Sequence, residues 1–252
     1  MSVDKIDRAS VLAIIEPLWG VKTETANRVR ARIAAVLDWA AEAGFRDPAL
    51  PNPVRKDQFK KSLPAQSKVQ KPKHHAALPI DETPVFTSEL RSRGGIGALA
   101  FEFCILTATR TSETLGARWS EIDLDKAIWT VPAERMKMGQ AHRVPLSNRA
   151  VDILNAVAKL RQGKDDFVFP GARSGRPLSG MVFLMVLRKM GRTGVTAHGF
   201  RSTFRDWCAE RTEVLGEVAE AALAHAVGSK VEAAYRRGDL FDKRRDLMER
   251  WA

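Results

Sequence analysis

Residues 196–207 read T-A-H-G-F-R-S-T-F-R-D-W and set an imidazole and a guanidinium three positions apart. On a helix His198 and Arg201 share one face, with Arg205 a turn further on, while Phe200, Phe204 and Trp207 supply the buried side. Such a pair suits a phosphate, because arginine offers fixed charge and a bidentate fork and histidine a further donor. Other candidates stand elsewhere in the chain. Arg110, in L-T-A-T-R-T-S-E, sits where an apolar helix ends, and Glu113 follows three residues later, able to hold it. Lys137 lies in E-R-M-K-M-G-Q-A-H-R-V-P-L, a stretch that also contains Arg135 and Arg143. His225 lies in L-A-H, and Tyr235, the chain's one tyrosine, comes ten residues later in V-E-A-A-Y-R-R.

Other chemistries are poorly served. R-G-G-I-G-A-L (93–99) follows no predicted strand and lacks the Lys-Ser or Lys-Thr of a nucleotide loop, so it reads as a turn into the next helix. The adjacent His74 and His75, with His142, His198 and His225, have no ligand spacing and no accompanying carboxylate cluster, so no metal and no cofactor is expected. Cys104 and Cys208 stand alone, which fits a reducing compartment. No apolar run approaches the roughly 20 residues of a membrane span.

The elements that must carry these residues are mostly helical. Helices are expected at 10–18 and 24–43, with Thr23 as N-cap and Gly44 as the stop. Val29, Ile33, Val36, Leu37 and Ala40 form one apolar stripe at helical spacing. Two helices in fifty residues make a thin core. Further on, a helix is expected over 97–107, and short strands at 127–132 and 142–146 around a turn containing Gly139. Ser147 caps a helix to about residue 161, and helices follow near 178–190, 197–211, 213–225 and 229–236, with a final amphipathic segment over 239–252. The fold class is mainly α with a small antiparallel β-sheet.

Charge divides the chain unevenly. The 252 residues carry a formal +11. Residues 1–50 are neutral, whereas 51–80 hold seven basic groups against one acid and five prolines (Pro51, Pro53, Pro64, Pro72, Pro79). That composition predicts an extended connector that either tracks a phosphate backbone or is a solvated tether. The excess suits a nucleic acid, an anionic membrane surface or an acidic partner. The expected division is a partial helical domain at 1–50, a basic proline-rich linker at 51–80 and a catalytic domain at 81–252.

Taken in order, Arg110, Lys137, His198-x-x-Arg201, His225 and Tyr235 resemble the catalytic pattern of the tyrosine recombinases, most closely their prophage-integrase branch. The resemblance runs from about residue 78 to the C-terminus and more loosely back through 1–77. It implies a site-specific recombinase that cleaves and rejoins DNA through a 3′-phosphotyrosyl intermediate, without metal or other cofactor. Tyr235 would be the nucleophile, Arg110 and Arg201 the phosphate clamp, and Lys137 the acid for the departing 5′-oxygen. His198 would serve as donor or base, His225 would bond a phosphate oxygen, and Glu113 would orient Arg110. Contacts to the duplex are expected from Arg28, Arg32, Lys56, Lys60, Lys61, Arg143 and Arg205, with a solvated face the alternative for Arg28 and Arg32. Partners implied are double-stranded DNA attachment sites, further copies of the chain as a tetramer on DNA, and accessory DNA-bending or directionality proteins, in the bacterial cytoplasm.

The chain departs from the pattern in two ways. Ala108 and Thr109 stand where the family commonly has a glycine before its first arginine. Met1 begins inside what resembles the later half of the core-binding domain, so an N-terminally truncated integrase is expected. Two alternatives follow, a remnant that binds DNA without recombining and a relaxing topoisomerase of related chemistry. The C-terminal tail is expected to pack either in cis or on a neighbouring copy.

Overall fold

The computed structural model describes residues 1–55, 63–69, 76–161, 163, 166–225 and 238–252. They fall into two compact units, Met1–His74 and His75–Ala252.

In the first unit Asp7 caps α1 (Arg8–Trp19) by accepting from the Ser10 amide at 2.8 Å. Thr23 is not the cap of the next helix but the first residue of α2 (Thr23–Glu42), and its hydroxyl donates instead to the Trp19 carbonyl at 2.6 Å. Gly44, at φ +77°, ends α2 in a left-handed turn open to glycine, and the amides of Phe45 and Arg46 close back on the Ala40 carbonyl. The buried face of α2 is Thr23, Ala26, Arg30, Leu37 and Ala40, while Val36 of the expected stripe is 59% exposed. Arg30 can face inward because its guanidinium is satisfied, by the Val54 carbonyl at 2.8 Å and the Asn27 side chain at 3.2 Å.

The described parts of the 51–80 stretch are packed rather than extended. Asn52 donates to the Ala34 carbonyl and the Asp38 carboxylate at 2.8 and 2.7 Å, and Val54 and Leu63 join the core of Val11, Ile15, Ala26 and Leu37. The Trp19 indole donates to the Pro64 carbonyl at 3.0 Å, and Gln66, opening the short α3 (Gln66–Val69), donates to Glu24 at 2.7 Å. Ala76 and Leu78 belong to the second unit, where their carbonyls accept from the Thr196 amide (3.1 Å) and the Thr203 hydroxyl (2.7 Å). Lys56, Lys60 and Lys61 lie outside the described residues.

The second unit is mainly helical with one small sheet. It opens with α4 (Thr83–Arg93), a helix not anticipated from sequence, with Pro84 in its first turn. The expected 97–107 helix is α5 (Ile96–Leu106), buried on every side from Ala100 to Leu106. The short α6 (Thr111–Leu115) follows it. Three antiparallel strands, not two, make the sheet: β1 (Ile122–Asp123), β2 (Ile128–Val131) and β3 (His142–Pro145), in the order β1-β2-β3 with Trp129 opposite Val144. Ser147 caps α7 (Asn148–Ala158), accepting from the Ala150 amide. Then come α8 (Val182–Lys189), α9 (Gly199–Arg211), α10 (Gly216–Ala222) and α11 (Phe241–Trp251). The helix expected over 229–236 lies outside the described residues.

An aromatic core fixes α5 against its neighbours. Phe101 stacks on Phe183 of α8 at 4.7 Å and meets Phe200 of α9 edge-on at 5.4 Å, and Phe103 meets Trp129 of β2 and Phe169 at 5.5 Å each. The one charge buried in α5, Glu102, is matched by Arg91 of α4 (2.6 Å) and Arg149 of α7 (2.8 Å). The C-terminal end of α5 is thereby held beside the start of α9.

Candidate active site

The site begins where α5 stops. Thr107 donates back to the Phe103 carbonyl at 2.7 Å, and a chain of hydroxyls runs from Thr107 through Thr109 (2.9 Å) to Thr114 (2.7 Å). Between them Ala108 takes φ +50°, a conformation that costs an L-residue about 1–2 kcal/mol. A glycine at this turn would adopt it freely. The turn delivers Arg110 to the start of α6. There the Glu113 carboxylate accepts both from the Arg110 amide (2.9 Å) and from its Nη1 (2.7 Å). Glu113 is almost fully buried while the Arg110 side chain keeps 20% of its surface exposed, so the guanidinium is aimed by one edge and open at another.

Arg201 reaches the same place from α9, 6% exposed. Its Nη1 donates to the Ala108 carbonyl, and its Nη2 to the Leu223 carbonyl at 2.6 Å and toward His225 Nε2 at 3.1 Å. Ala224, next to Leu223, is the counterpart of Ala108 at φ +50°. Burial, and then the charge of Arg110, push the Arg201 pKa down to about 10, so it stays cationic at neutral pH.

Arginine can only donate, so His225 Nε2 must accept, and its proton sits on Nδ1. That nitrogen meets Glu220 Oε2 at 2.7 Å, and Glu220 Oε1 accepts from Arg205 at 2.6 Å. Burial raises the Glu220 pKa, but hydrogen bonds from Arg205 and His225 outweigh it and hold the carboxylate below its usual range. Arg205, expected on the duplex, is thus engaged in orienting His225 through Glu220.

The hairpin separates its three basic residues. Arg135 Nη2 donates to the Glu113 carbonyl and its Nη1 pairs with Glu121. A methyl group at Gly116 would stand 2.9 Å from that Nη2, so the glycine admits the arginine. Arg143 on β3 forms a bidentate pair with Asp239 at 2.8 and 3.0 Å. Lys137 is exposed in the turn.

His198 is exposed immediately before α9. The glycine beside it had carried no signal. A Cβ on Gly199 would lie 2.0 Å from the Ala76 carbonyl oxygen, so only glycine lets that backbone cross the start of α9. Sequence reading also missed His142. It is half-buried at the head of β3 with Nε2 out of solvent, near Arg244, Glu113 and Asp239, and desolvation pushes its pKa down to about 4. Of the remaining expected contacts, Arg28 pairs with Glu24 at 2.9 Å and Arg32 is exposed on α2. Tyr235 lies outside the described residues.

The structure therefore gathers Arg110, Glu113, Arg201 and His225, with Arg205 and Glu220 behind them. Burial pushes the thiols of Cys104 and Cys208 up to about 11 and about 12, so both stay protonated at neutral pH. Among the described residues no group of three His, Cys, Asp or Glu could hold a metal, and no helix is long and apolar enough to cross a membrane.

Comparison with known proteins agrees with this geometry. Residues 85–239 match the phage integrase family and residues 1–57 the phage integrase central domain. The prophage integrase IntZ of Escherichia coli K12 is 33% identical over 253 residues, covering all of this chain and 60% of the relative. The integrase of Enterobacteria phage P4 is 30% identical, covering 92% and 55%. The chain thus spans a little over half the length of these relatives. Among solved structures, a lambda integrase dimer bound to a COC′ core site superposes with a TM-score of 0.60 at 19% identity, over 95% of this chain and 82% of that one. The Tn1549 transposon integrase in complex with transposon right end DNA superposes with a TM-score of 0.63 at 16% identity, over 99% and 87%. The fold is shared with both, and the chain belongs to the phage integrase family of tyrosine recombinases.

Proposed function

We propose that this protein is a site-specific DNA recombinase that integrates or excises a prophage or mobile element. The observation that carries the reading is the pairing of Arg110 and Arg201 at the end of α5. Their hydrogen bonds run to one carboxylate, two carbonyls and a neutral imidazole, so cationic charge is left over for an anion. A phosphodiester turning into a pentacovalent phosphorane gains negative charge on its non-bridging oxygens, which such a clamp stabilises most in the transition state.

The phenol oxygen of Tyr235 attacks phosphorus, the bond to the 5′-oxygen breaks, and a 3′-phosphotyrosyl link remains. With a pKa near 10, the phenol costs about 4 kcal/mol to ionise at neutral pH. His198 takes its proton, and Lys137, free in the turn, protonates the leaving 5′-oxygen. His225, held by Glu220 through Nδ1, bonds a phosphate oxygen once Nε2 carries a proton and the phosphate has taken over Arg201 Nη2. Attack by the 5′-hydroxyl of a second strand reverses the step and completes exchange.

The proposed partner is duplex DNA carrying attachment sites, held with Arg32, Lys56, Lys60 and Lys61 on the first unit and assisted by accessory DNA-bending or directionality proteins. The structural relatives include a lambda integrase tetramer bound to a Holliday junction, which supports assembly of several copies of this chain on DNA.

The test is trapping on nicked duplex with the candidate attachment site. A covalent adduct that vanishes in Tyr235→Phe is expected. DNA binding without an adduct would instead identify a remnant, and relaxation of supercoiled plasmid without a site would identify a topoisomerase.

A further inference from the structure

Asp239, second in the last described segment, does more than precede a helix. Asp239 accepts from Arg143 Nη2 and Nε at 2.8 and 3.0 Å and from Arg244 Nη2 at 2.8 Å, and its carbonyl accepts from Arg244 Nε at 2.7 Å. Arg244 is 1% exposed and donates from Nη1 to the Arg143 carbonyl at 2.6 Å. One buried guanidinium thus joins α11 to both the side-chain partner and the backbone of β3. The guanidiniums of Arg143, Arg244 and Arg245 lie 4.5, 5.5 and 5.0 Å from the Phe241 ring. Arg245 also donates to the Lys126 carbonyl at 3.0 Å, and Glu249 accepts from the amide and side chain of Asn148.

We infer that Asp239 is a positioning residue for the proposed reaction, anchoring the C-terminal end of the stretch that carries Tyr235 to the strand whose turn carries Lys137. Three facts lead there. Tyr235 is four residues before Asp239, so chain geometry keeps their Cα atoms within about 14 Å. The other flank of that stretch, His225, is itself held by Glu220 and Arg201. And β3 joins β2 through the turn that presents Lys137, so nucleophile and general acid share one base. Packing alone needs no carboxylate here, since Leu247, Met248 and Trp251 already bury the apolar face of α11 among Phe204, Cys208, Val218 and Ala222. Arg143, expected on the duplex, is in this structure a partner of Asp239.

Because the inference rests on the recombinase reading, its test has one arm with DNA and one without. Without DNA, the tryptic sites that report on the clasp follow Arg236 and Arg237, three and two residues from Asp239. Asp239→Ala should speed cleavage there at least fivefold while leaving sites in α4 and α9 at the wild-type rate. Asp239→Asn, which keeps an acceptor, should fall between. With saturating nicked duplex, Asp239→Ala should slow adduct formation 10- to 100-fold with DNA affinity within twofold of wild type, and Arg143→Ala should do the same. Unchanged tryptic rates at 236–237, or an adduct defect that merely follows lost DNA affinity or general unfolding, would overturn the inference. If the wild type forms no adduct, the recombinase reading fails, while the DNA-free arm still decides whether Asp239 anchors the stretch.

Discussion

Two clusters along the line of α5 carry the same charges and use them differently. Near its middle, Glu102 accepts from Arg91 and twice from Arg149, so both carboxylate oxygens are filled. Beyond its C-terminal end, Glu113 holds Arg110, while Arg201 spends its donors on carbonyls and a neutral ring. Each cluster has two arginines to one carboxylate. At Glu102 the arginine side chains are 40% and 36% exposed, so water screens the surplus. At the site Arg201 is 6% exposed, and the surplus sits in a low dielectric where an arriving anion is attracted strongly. Carbonyl dipoles can satisfy a guanidinium without neutralising it, and that makes one cluster a pin and leaves the other with a cationic surplus, the one proposed to take a phosphate.

The comparison breaks if the pin is cut. Glu102→Ala leaves two partly exposed guanidiniums without their partner and should cost about 2–3 kcal/mol of stability by denaturant titration. Adduct formation well below the new Tm should be unaffected, and a selective loss of activity would show that the pin is part of the site. Arg201→Lys should do the reverse. A lysine cannot span both carbonyls, so adduct formation should slow by about 10²- to 10³-fold, or roughly 2.7–4 kcal/mol, with a smaller change in Tm.

Acid sharpens the contrast. His142 titrates near 4 in the fold against 6.5 outside it, so the unfolded chain takes its proton first and stability falls as pH drops from about 6.5 to about 4. The loss amounts to ~3 kcal/mol, and His142→Gln should remove it from a pH series of unfolding free energies. Burial raises the Glu102 pKa, yet hydrogen bonds from Arg149 and Arg91 outweigh it and hold the carboxylate below its ordinary value of 4.5. Its stabilisation is therefore lost only at lower pH, as the folded carboxylate protonates. The smallest effect is expected at Gly199. Gly199→Ala must displace the Ala76 carbonyl and should cost about 1–3 kcal/mol by thermal melting, with a larger fractional loss of adduct because His198 is its neighbour.

Much of the fold was legible locally. The apolar run of α5, the Ser147 cap and the strand pattern of β2 and β3 each arise from a few adjacent residues. What escaped was non-local. The inward face of α2 depended on Val54 and Asn27 satisfying Arg30, which periodicity alone does not show. The two-residue β1 has too short a pattern to read. The described parts of the basic stretch pack on the units because Asn52, Val54, Leu63 and Ala76 find partners there, although charge and proline content suggested an open ribbon.

The sequence by itself determined which side chains are available for phosphate chemistry and in what order, because residue type and spacing are written in the chain. It did not determine which guanidiniums are free. Arg135, Arg143 and Arg205 look alike as basic residues near motifs. Their roles follow from partners 14, 96 and 15 residues away. Only the tertiary structure brings Glu121, Asp239 and Glu220 to them, and an arginine already bonded to a carboxylate has little charge left to offer DNA. Arg201 keeps its charge because the fold surrounds it with carbonyls and a ring nitrogen, whereas Arg110 is paired with Glu113 and open at its other edge.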